Sequence, residues 1–148
     1  MIHLLDTDTL IFMVRGLKSS RRPSQRQQAH ELVQRCRRTH AAGDPVGLSA
    51  ITVSELEYGA RHSGDYDSEI AAVQKILAPF DVYDYDGVAC PMHYGRIRQE
   101  LETQGATIGS MDLLIAAHVI ALEATLVSNN VAHFSRVRGL KIVNWLAG

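Results

Sequence analysis

The segment Ile2-His3-Leu4-Leu5-Asp6-Thr7-Asp8 contains the pattern that decides the fold class, because a short apolar run ends there abruptly at two carboxylates. A run of this length suits a buried strand and is too short for a helix. Comparable short runs lie at residues 46–49, 80–83, 125–128 and 140–143. Together with residues 2–5, they predict a sheet of about five strands.

The segments between these runs carry apolar residues at the three- and four-residue spacing of helices. The clearest sets lie in residues 29–36, 70–77 and 113–120, and residues 87–103 form a further predicted helix that Pro91 shortens or bends. Alternating strands and helices are typical of an α/β domain with a mostly parallel sheet. A length of 148 residues suits one domain, spanning residues 1–148.

Composition bears on the cellular compartment. No stretch reaches the roughly 18–20 apolar residues that cross a bilayer, and the N-terminus lacks the basic segment and long apolar run of a secretory signal. Cys36 and Cys90 are too few for a disulfide framework or a zinc site, so we expect two buried free thiols. These features predict a cytoplasmic protein with no membrane partner.

Basic residues are concentrated in residues 15–38, although the whole chain has a net charge of −1. Eight arginines and lysines there face the single acid Glu31, which gives this segment +7 and leaves −8 for the remainder. Such a segment could line a phosphate-binding groove or could be a solvated helix surface. The candidates for contacts to phosphates are Arg15, Arg21 and Arg22.

Polar residues follow the predicted strands at the edge of the sheet where α/β proteins usually bind ligands. They are Asp6, Asp8, Glu55, Asp112, Ser128, Asn129 and Asn130. Carboxylates that converge there repel one another unless a metal neutralises them or some take up protons. Oxygen ligands suit Mg²⁺ or Mn²⁺, and the chemistry that fits is phosphodiester hydrolysis by metal-activated water. Asp6 is the strongest candidate, because a buried carboxylate is costly without a partner.

The other acids also have structural explanations. Asp8 could cap a helix that starts at Thr9, and Glu55 could pair with Thr52 in a capping box in the first turn of its helix. Asp112 could favour the positive end of its helix dipole. From the residues alone, a shared metal site and separate helix caps both remain open.

Other catalytic motifs are absent from the sequence. The seven histidines show no metal-ligand spacing such as His-Glu-x-x-His, and His118 on an apolar helical segment is typical of a packed core residue. Neither a Gly-x-Ser-x-Gly turn nor a P-loop occurs, so nothing indicates a serine hydrolase or a nucleoside triphosphatase.

Five segments resemble, in order, the motifs of PIN domains of the VapC type, the toxin half of bacterial VapBC pairs. They are LLDTDTL at 4–10, LSAITVSELEYG at 48–59, IGSMDLLIAAH at 108–118, ATLVSNNVAHF at 124–134 and GLKIVNW at 139–145. The resemblance implies a three-layer α/β/α domain, a Mg²⁺- or Mn²⁺-dependent endoribonuclease, a homodimer, and inhibition by a VapB-like antitoxin.

The same resemblance places the metal and catalytic residues of the family on Asp6, Glu55 and Asp112. Where many relatives have a fourth acid, this chain has Asn130, which offers an oxygen but no charge. Asp8 is a candidate to compensate. Ser128 and Asn129 are candidates to orient a phosphate or a water, although they could instead form a turn at the strand end.

Two functions follow from this reading. The first is an RNA-cleaving toxin that acts on structured RNA such as tRNA or rRNA. The second is a weakly active or inactive PIN-like module that reaches operator DNA only through a DNA-binding antitoxin, with Asn130 marking its weakened site. A structure-specific DNA nuclease is a third possibility, but the chain lacks the extra length that usually clamps a duplex.

Overall fold

A five-stranded parallel sheet forms the centre of the protein, whose computed structural model describes residues 1–18 and 21–146. The strands are β1 (His3–Leu5), β2 (Val46–Ser49), β3 (Asp81–Tyr83), β4 (Thr125–Val127) and β5 (Ile142–Val143). Their order across the sheet is β3-β2-β1-β4-β5, and each neighbouring pair is parallel. The predicted parallel α/β sheet is therefore confirmed.

Helices connect the strands and cover the sheet. They are α1 (Thr7–Gly16), α2 (Pro23–Ala41), α3 (Ala50–His62), α4 (Tyr66–Leu77), α5 (Ala89–Gln104), α6 (Ser110–Ala121) and the short α7 (Val131–Phe134). In the described ranges, no helix combines the length and apolar character needed to cross a bilayer.

Alternating side chains of the two central strands divide the apolar interior into two cores. Leu5 of β1 and Val127 of β4 belong to one core, which they share with apolar residues of α1 to α4. Leu4 and Leu126 point the opposite way, into a second core formed with α5, α6 and α7. Since successive residues of a strand face opposite sides, this arrangement is the predicted three-layer α/β/α domain.

Four of the five strands are shorter than the apolar runs that predict them, and β2 has the predicted bounds. Phe80 precedes β3 and Leu140 precedes β5, yet both side chains pack into the cores. Hydrophobic burial thus extends beyond the residues that pair in the sheet. An apolar run therefore overestimates the length of its strand. The predicted helix at 87–103 begins at Ala89, which leaves Pro91 in the first turn, where its missing N–H costs nothing.

Three residues that the sequence predicts to be buried are in the interior. Cys36 and Cys90 are buried free thiols. His118 is 1% exposed, and its Nδ1 lies 2.7 Å from the hydroxyl oxygen of Ser49. Because Ser49 caps α3 and His118 belongs to α6, this hydrogen bond ties together the two helices that carry Glu55 and Asp112.

The connections that leave β1 and β4 diverge at the carboxyl edge of the sheet. Helix α1 follows β1 and packs into the first core, whereas α7 follows β4 and contributes Phe134 to the second core. Parallel sheets commonly bind ligands in the crevice that such divergence opens. Asp6 and Ser128, the residues that follow β1 and β4, lie at this crevice.

Candidate active site

Asp6 is held in the crevice by hydrogen bonds from both sides. Only 2% of the residue is exposed. Its Oδ1 accepts the backbone N–H of Thr9 at 2.9 Å, and its Oδ2 accepts the hydroxyl of Ser128 at 2.6 Å. Burial raises the pKa of this carboxyl, and the hydrogen bonds from Ser128 and Thr9 oppose that rise only in part.

The cap of α1 differs from the one predicted. Helix α1 starts at Thr7, so the expectation that Asp8 caps a helix starting at Thr9 is wrong. Asp6 is the cap instead. The backbone N–H of Thr9 is therefore a partner of this buried carboxylate that the sequence did not indicate. Asp8 is exposed in the first turn, where the helix dipole favours a negative charge.

Glu55 is positioned by a threonine of the neighbouring helix. The hydroxyl of Thr7 donates to Oε1 of Glu55 at 2.6 Å, and it lies 3.1 Å from the hydroxyl oxygen of Thr52. The predicted capping box of Thr52 and Glu55 is wrong, because α3 begins at Ala50 and its cap is Ser49. Glu55 therefore lies in the second turn of α3, with its carboxylate free of any capping role.

The negative charges of the other acids act on Asp112. It lies half-buried in the first turn of α6, and its pKa is raised to about 6. Desolvation is the largest cause, followed by the negative charges of Asp8, Asp6 and Glu55. The structure thus brings together carboxylates from three distant parts of the sequence.

His133 is a residue of this site that the sequence did not single out for it. Its charge lowers the pKa of Asp112 against the effect of the three carboxylates. The side chain is exposed on α7, and its Nδ1 lies 2.9 Å from the amide nitrogen of Asn130. The sequence signal that could have indicated His133 is its position three residues after Asn130, because residues three apart lie on the same side of a helix.

The three polar residues after β4 differ in what they contact. Ser128 donates to Asp6, and its oxygen accepts the backbone N–H of Asn130 at 2.9 Å. The side chain of Asn129 turns instead to Asn144, whose amide donates to it at 3.2 Å. Ser128 and Asn130 therefore belong to the immediate surroundings of the acids, whereas Asn129 faces the C-terminal segment.

The three arginines selected from the sequence lie in different places. Arg15 lines an open groove of about 720 Å³ together with Asp8 and Glu55. Arg21 and Arg22 are exposed before α2 and are not among the residues that line this groove. Only Arg15 therefore shares a surface with the acids.

The chemical character of the site fits a hard divalent cation. Across residues 1–18 and 21–146, no three His, Cys, Asp or Glu side chains stand close enough to hold one ion together. Mg²⁺ is usually bound through one or two carboxylates, with waters and substrate phosphates as its other ligands. The oxygens of Asp6, Glu55 and Asp112 are of the type it prefers, and a cation would relieve the repulsion that raises the pKa of Asp112.

Comparison with known proteins gives consistent matches over nearly the whole chain. The family model of the PIN domain matches residues 4–140. The chain is 32% identical over 145 residues to Ribonuclease VapC2 of Rickettsia felis, covering 98% of both sequences. It is also 32% identical over 142 residues to the tRNA(fMet)-specific endonuclease VapC of Shigella flexneri, covering 96% of both.

Solved structures give the same result. The fold is similar to that of DNA-bound VapBC from Salmonella typhimurium, with a TM-score of 0.82, 30% identity and 98% coverage of both chains. VapBC2 from Rickettsia felis, bound to a DNA fragment from its promoter, gives a TM-score of 0.78 at 30% identity, covering 98% of this chain and 99% of the other.

Proposed function

The chain belongs to the PIN-domain family, and from that premise we propose that it is the ribonuclease toxin of a VapBC-type pair, an endoribonuclease that depends on Mg²⁺ and accepts Mn²⁺. One observation carries the proposal: at the carboxyl edge of the sheet, burial and the negative charges of Asp8, Asp6 and Glu55 raise the pKa of Asp112. The names of the similar VapC proteins support cleavage of RNA as the reaction.

Asp6, Glu55 and Asp112 would surround the ion, one or two of them as direct ligands and the rest through its bound waters, with Asp8 as an auxiliary acid. When bound, Mg²⁺ would neutralise these charges and activate water for attack on a phosphodiester. Ser128 keeps the buried Asp6 carboxylate in one orientation through its 2.6 Å hydrogen bond. Thr7 does the same for Glu55. These hydroxyls prepare the acids before a cation or substrate arrives, which reduces the reorganisation that binding requires.

The partners in this proposal are a VapB-like antitoxin, a structured RNA substrate such as tRNA or rRNA, and a second copy of the chain in a homodimer. Operator DNA would be reached only through the antitoxin. Two similar structures are VapBC proteins bound to DNA, which supports an antitoxin that binds the operator. A small neighbouring reading frame with a DNA-binding N-terminus is the genomic feature that such a pair requires.

Growth on induction tests the proposal in cells. We expect wild-type protein without antitoxin to arrest growth, and Asp6→Asn or Asp112→Asn to abolish the arrest without loss of fold. Glu102→Gln is the matched control, because Glu102 is an exposed acid on α5 that pairs with Arg98. Colony counts after induction, with immunoblots for protein level, give the result. Arrest that survives both site substitutions would show that toxicity does not come from this site.

A second candidate function rests on Asn130, which is uncharged where the resemblance to VapC-type PIN domains implies an acid. A weakly active module acting at operator DNA through its antitoxin would have lost cation affinity at this position. Under our proposal the site is already complete, so Asn130→Asp should change RNA cleavage less than about threefold, well below the roughly 10–100-fold effect typical of residues that support a metal site. Initial cleavage rates across a Mg²⁺ titration measure this. A gain of tenfold or more would favour the weakened module instead.

A further inference from the structure

The outer face of α2 carries arginines that the protein does not neutralise. In the part of the chain that the structure describes, the α2 arginines form no ion pair with a carboxylate, whereas Arg96 and Arg98 of α5 are each paired with a glutamate. The acid of α2, Glu31, accepts a hydrogen bond from Gln27 at 2.8 Å. Because α2 holds four arginines and one acid, Glu31, it leaves a net positive field available to an external polyanion.

Two of these arginines line a groove with the tryptophan of the C-terminal segment. Arg35, Arg38 and Trp145 contribute to this groove of about 310 Å³, which we call the α2 groove. The guanidinium carbon of Arg35 lies 4.9 Å from the centre of the Trp145 ring, a cation–π contact. This contact fixes the Arg35 head while leaving its N–H groups for a phosphate oxygen. Guanidinium groups suit phosphates because their donors match two oxygens at once.

Trp145 connects the α2 groove to the residues around Asp6. It packs with Ser128 and Asn129 around a closed gap that is too small for a water molecule. Asn129 accepts a hydrogen bond from Asn144, which precedes Trp145, and Ser128 donates to Asp6. A strand with one phosphodiester near Asp6 would therefore pass over the exposed Asn129 to reach the α2 groove.

We propose that the α2 groove is a second RNA-binding site, which holds the phosphate backbone of single-stranded nucleotides flanking the cleaved bond. The inference rests on the proposed ribonuclease function and adds a location for part of its substrate. Arg35, oriented by Trp145, donates to one phosphate, and Arg38 supplies a second cation. A groove of about 310 Å³ has room for few nucleotides, which favours the unpaired segments of a structured RNA.

Trp145 provides a local reporter because it is the single tryptophan of the chain. The experiment uses Asp6→Asn protein in EDTA, so that a short single-stranded RNA oligonucleotide binds without being cut. We expect saturable quenching of Trp145 fluorescence as RNA is added. RNA binding with no change in Trp145 fluorescence would overturn the inference.

Affinity and its salt dependence test the two arginines. In the same background, Arg35→Ala/Arg38→Ala should weaken binding of dye-labelled RNA at least about tenfold, and should reduce the slope of log Kd against log salt by about 1.4, or 0.7 for each lost phosphate contact. Arg96→Ala/Arg98→Ala removes the same number of charges from α5 and should leave both quantities unchanged. Circular dichroism establishes that each variant is folded.

Cleavage kinetics separate a failure of this inference from a failure of the proposed function. With Asp6 intact and Mg²⁺ present, Arg35→Ala/Arg38→Ala should raise KM and leave kcat within about twofold, because the groove binds nucleotides away from the reacting bond. If this variant matches the α5 control in affinity and KM while wild type cleaves RNA, the α2 groove inference is wrong and the proposed function stands. Failure of wild type both to bind and to cleave RNA overturns both.

Discussion

Asp112→Asn is expected to abolish RNA cleavage and, at the same time, to make the metal-free protein more stable at pH 7.5. The cleavage rate should fall at least about 100-fold, because the change removes a charged cation ligand and such losses exceed those of supporting residues. Stability should rise because the folded protein holds the Asp112 carboxylate, partly desolvated, among three other negative charges.

The direction of the pH effect follows from the raised pKa. The pKa of Asp112 is about 6 in the folded protein and close to the ordinary aspartate value of 3.8 when unfolded. The folded state therefore binds this proton more tightly, and stability is lost as pH rises from about 4 through 6. A shift of this size corresponds to about 3 kcal/mol. We expect about 1–2 kcal/mol, since the carboxylate is not fully buried and lies at a favourable helix N-terminus.

Urea unfolding in EDTA at a series of pH values measures this effect. Wild-type stability should decrease between about pH 4 and 6.5, and Asp112→Asn should show a flatter profile and a higher midpoint at pH 7.5. Asp67→Asn is the control, because Asp67 is an exposed acid in the first turn of α4 and should be neutral or slightly destabilising. If the Asp112→Asn protein is less stable than wild type at pH 7.5, the prediction that the other acids repel Asp112 is contradicted.

Ser128→Ala is expected to destabilise the protein by about 2–3 kcal/mol and to slow cleavage about 10–100-fold. Its hydroxyl donates to a buried carboxylate and accepts the backbone N–H of Asn130. Removing it leaves one Asp6 oxygen without its donor in a site that water reaches poorly, and a bond to a charged group is costly to lose. Asp6 would also lose its fixed orientation.

Thermal or urea unfolding and initial cleavage rates measure these two effects. Ser135→Ala is the matched control, because the Ser135 hydroxyl makes an exposed bond to the carbonyl of Ala132 and its loss should change stability by less than about 0.5 kcal/mol. Equal stability and equal rates for the two variants would mean that Ser128 does not position Asp6.

Much of the fold is predictable from the sequence because the apolar runs and helical spacings have one physical cause, burial on the sheet. The run at residues 2–5 predicts β1, and the structure shows that its neighbouring residues Leu4 and Leu5 enter different cores because they face opposite sides of the sheet. Strand ends were less predictable. Phe80 and Leu140 show why, since apolar residues just outside a strand also pack against the cores.

The helix caps were the least predictable part of the site. Asp6 and Asp8 are both good caps in sequence terms, and only the start of α1 at Thr7 decides between them. Likewise, Thr52 and Glu55 have capping-box spacing, but Ser49 takes the position of the cap. These choices depend on where each strand stops pairing, which is a tertiary property.

The contacts between site residues that are distant in the sequence could not be derived from the spacing of residues within motifs. Glu55 and Thr7 lie 48 positions apart, and Ser128 and Asp6 lie 122 apart. The order of strands in the sheet places β4 beside β1, and that order brings Ser128 to Asp6. The resemblance to PIN domains anticipated the acids, whereas the contribution of His133 required the position of α7.

The most direct test of the central claim is cleavage of total cellular RNA by purified, antitoxin-free protein, with Mg²⁺, with Mn²⁺ and with EDTA, followed by mapping of new 5′ ends. Wild type should produce discrete cuts with either ion and none in EDTA. Asp6→Asn should produce none, although its side chain can still cap α1 and the fold should persist. Folded wild-type protein that makes no cuts with either ion, or cuts that persist in EDTA or in Asp6→Asn, would contradict a metal-dependent ribonuclease centred on Asp6.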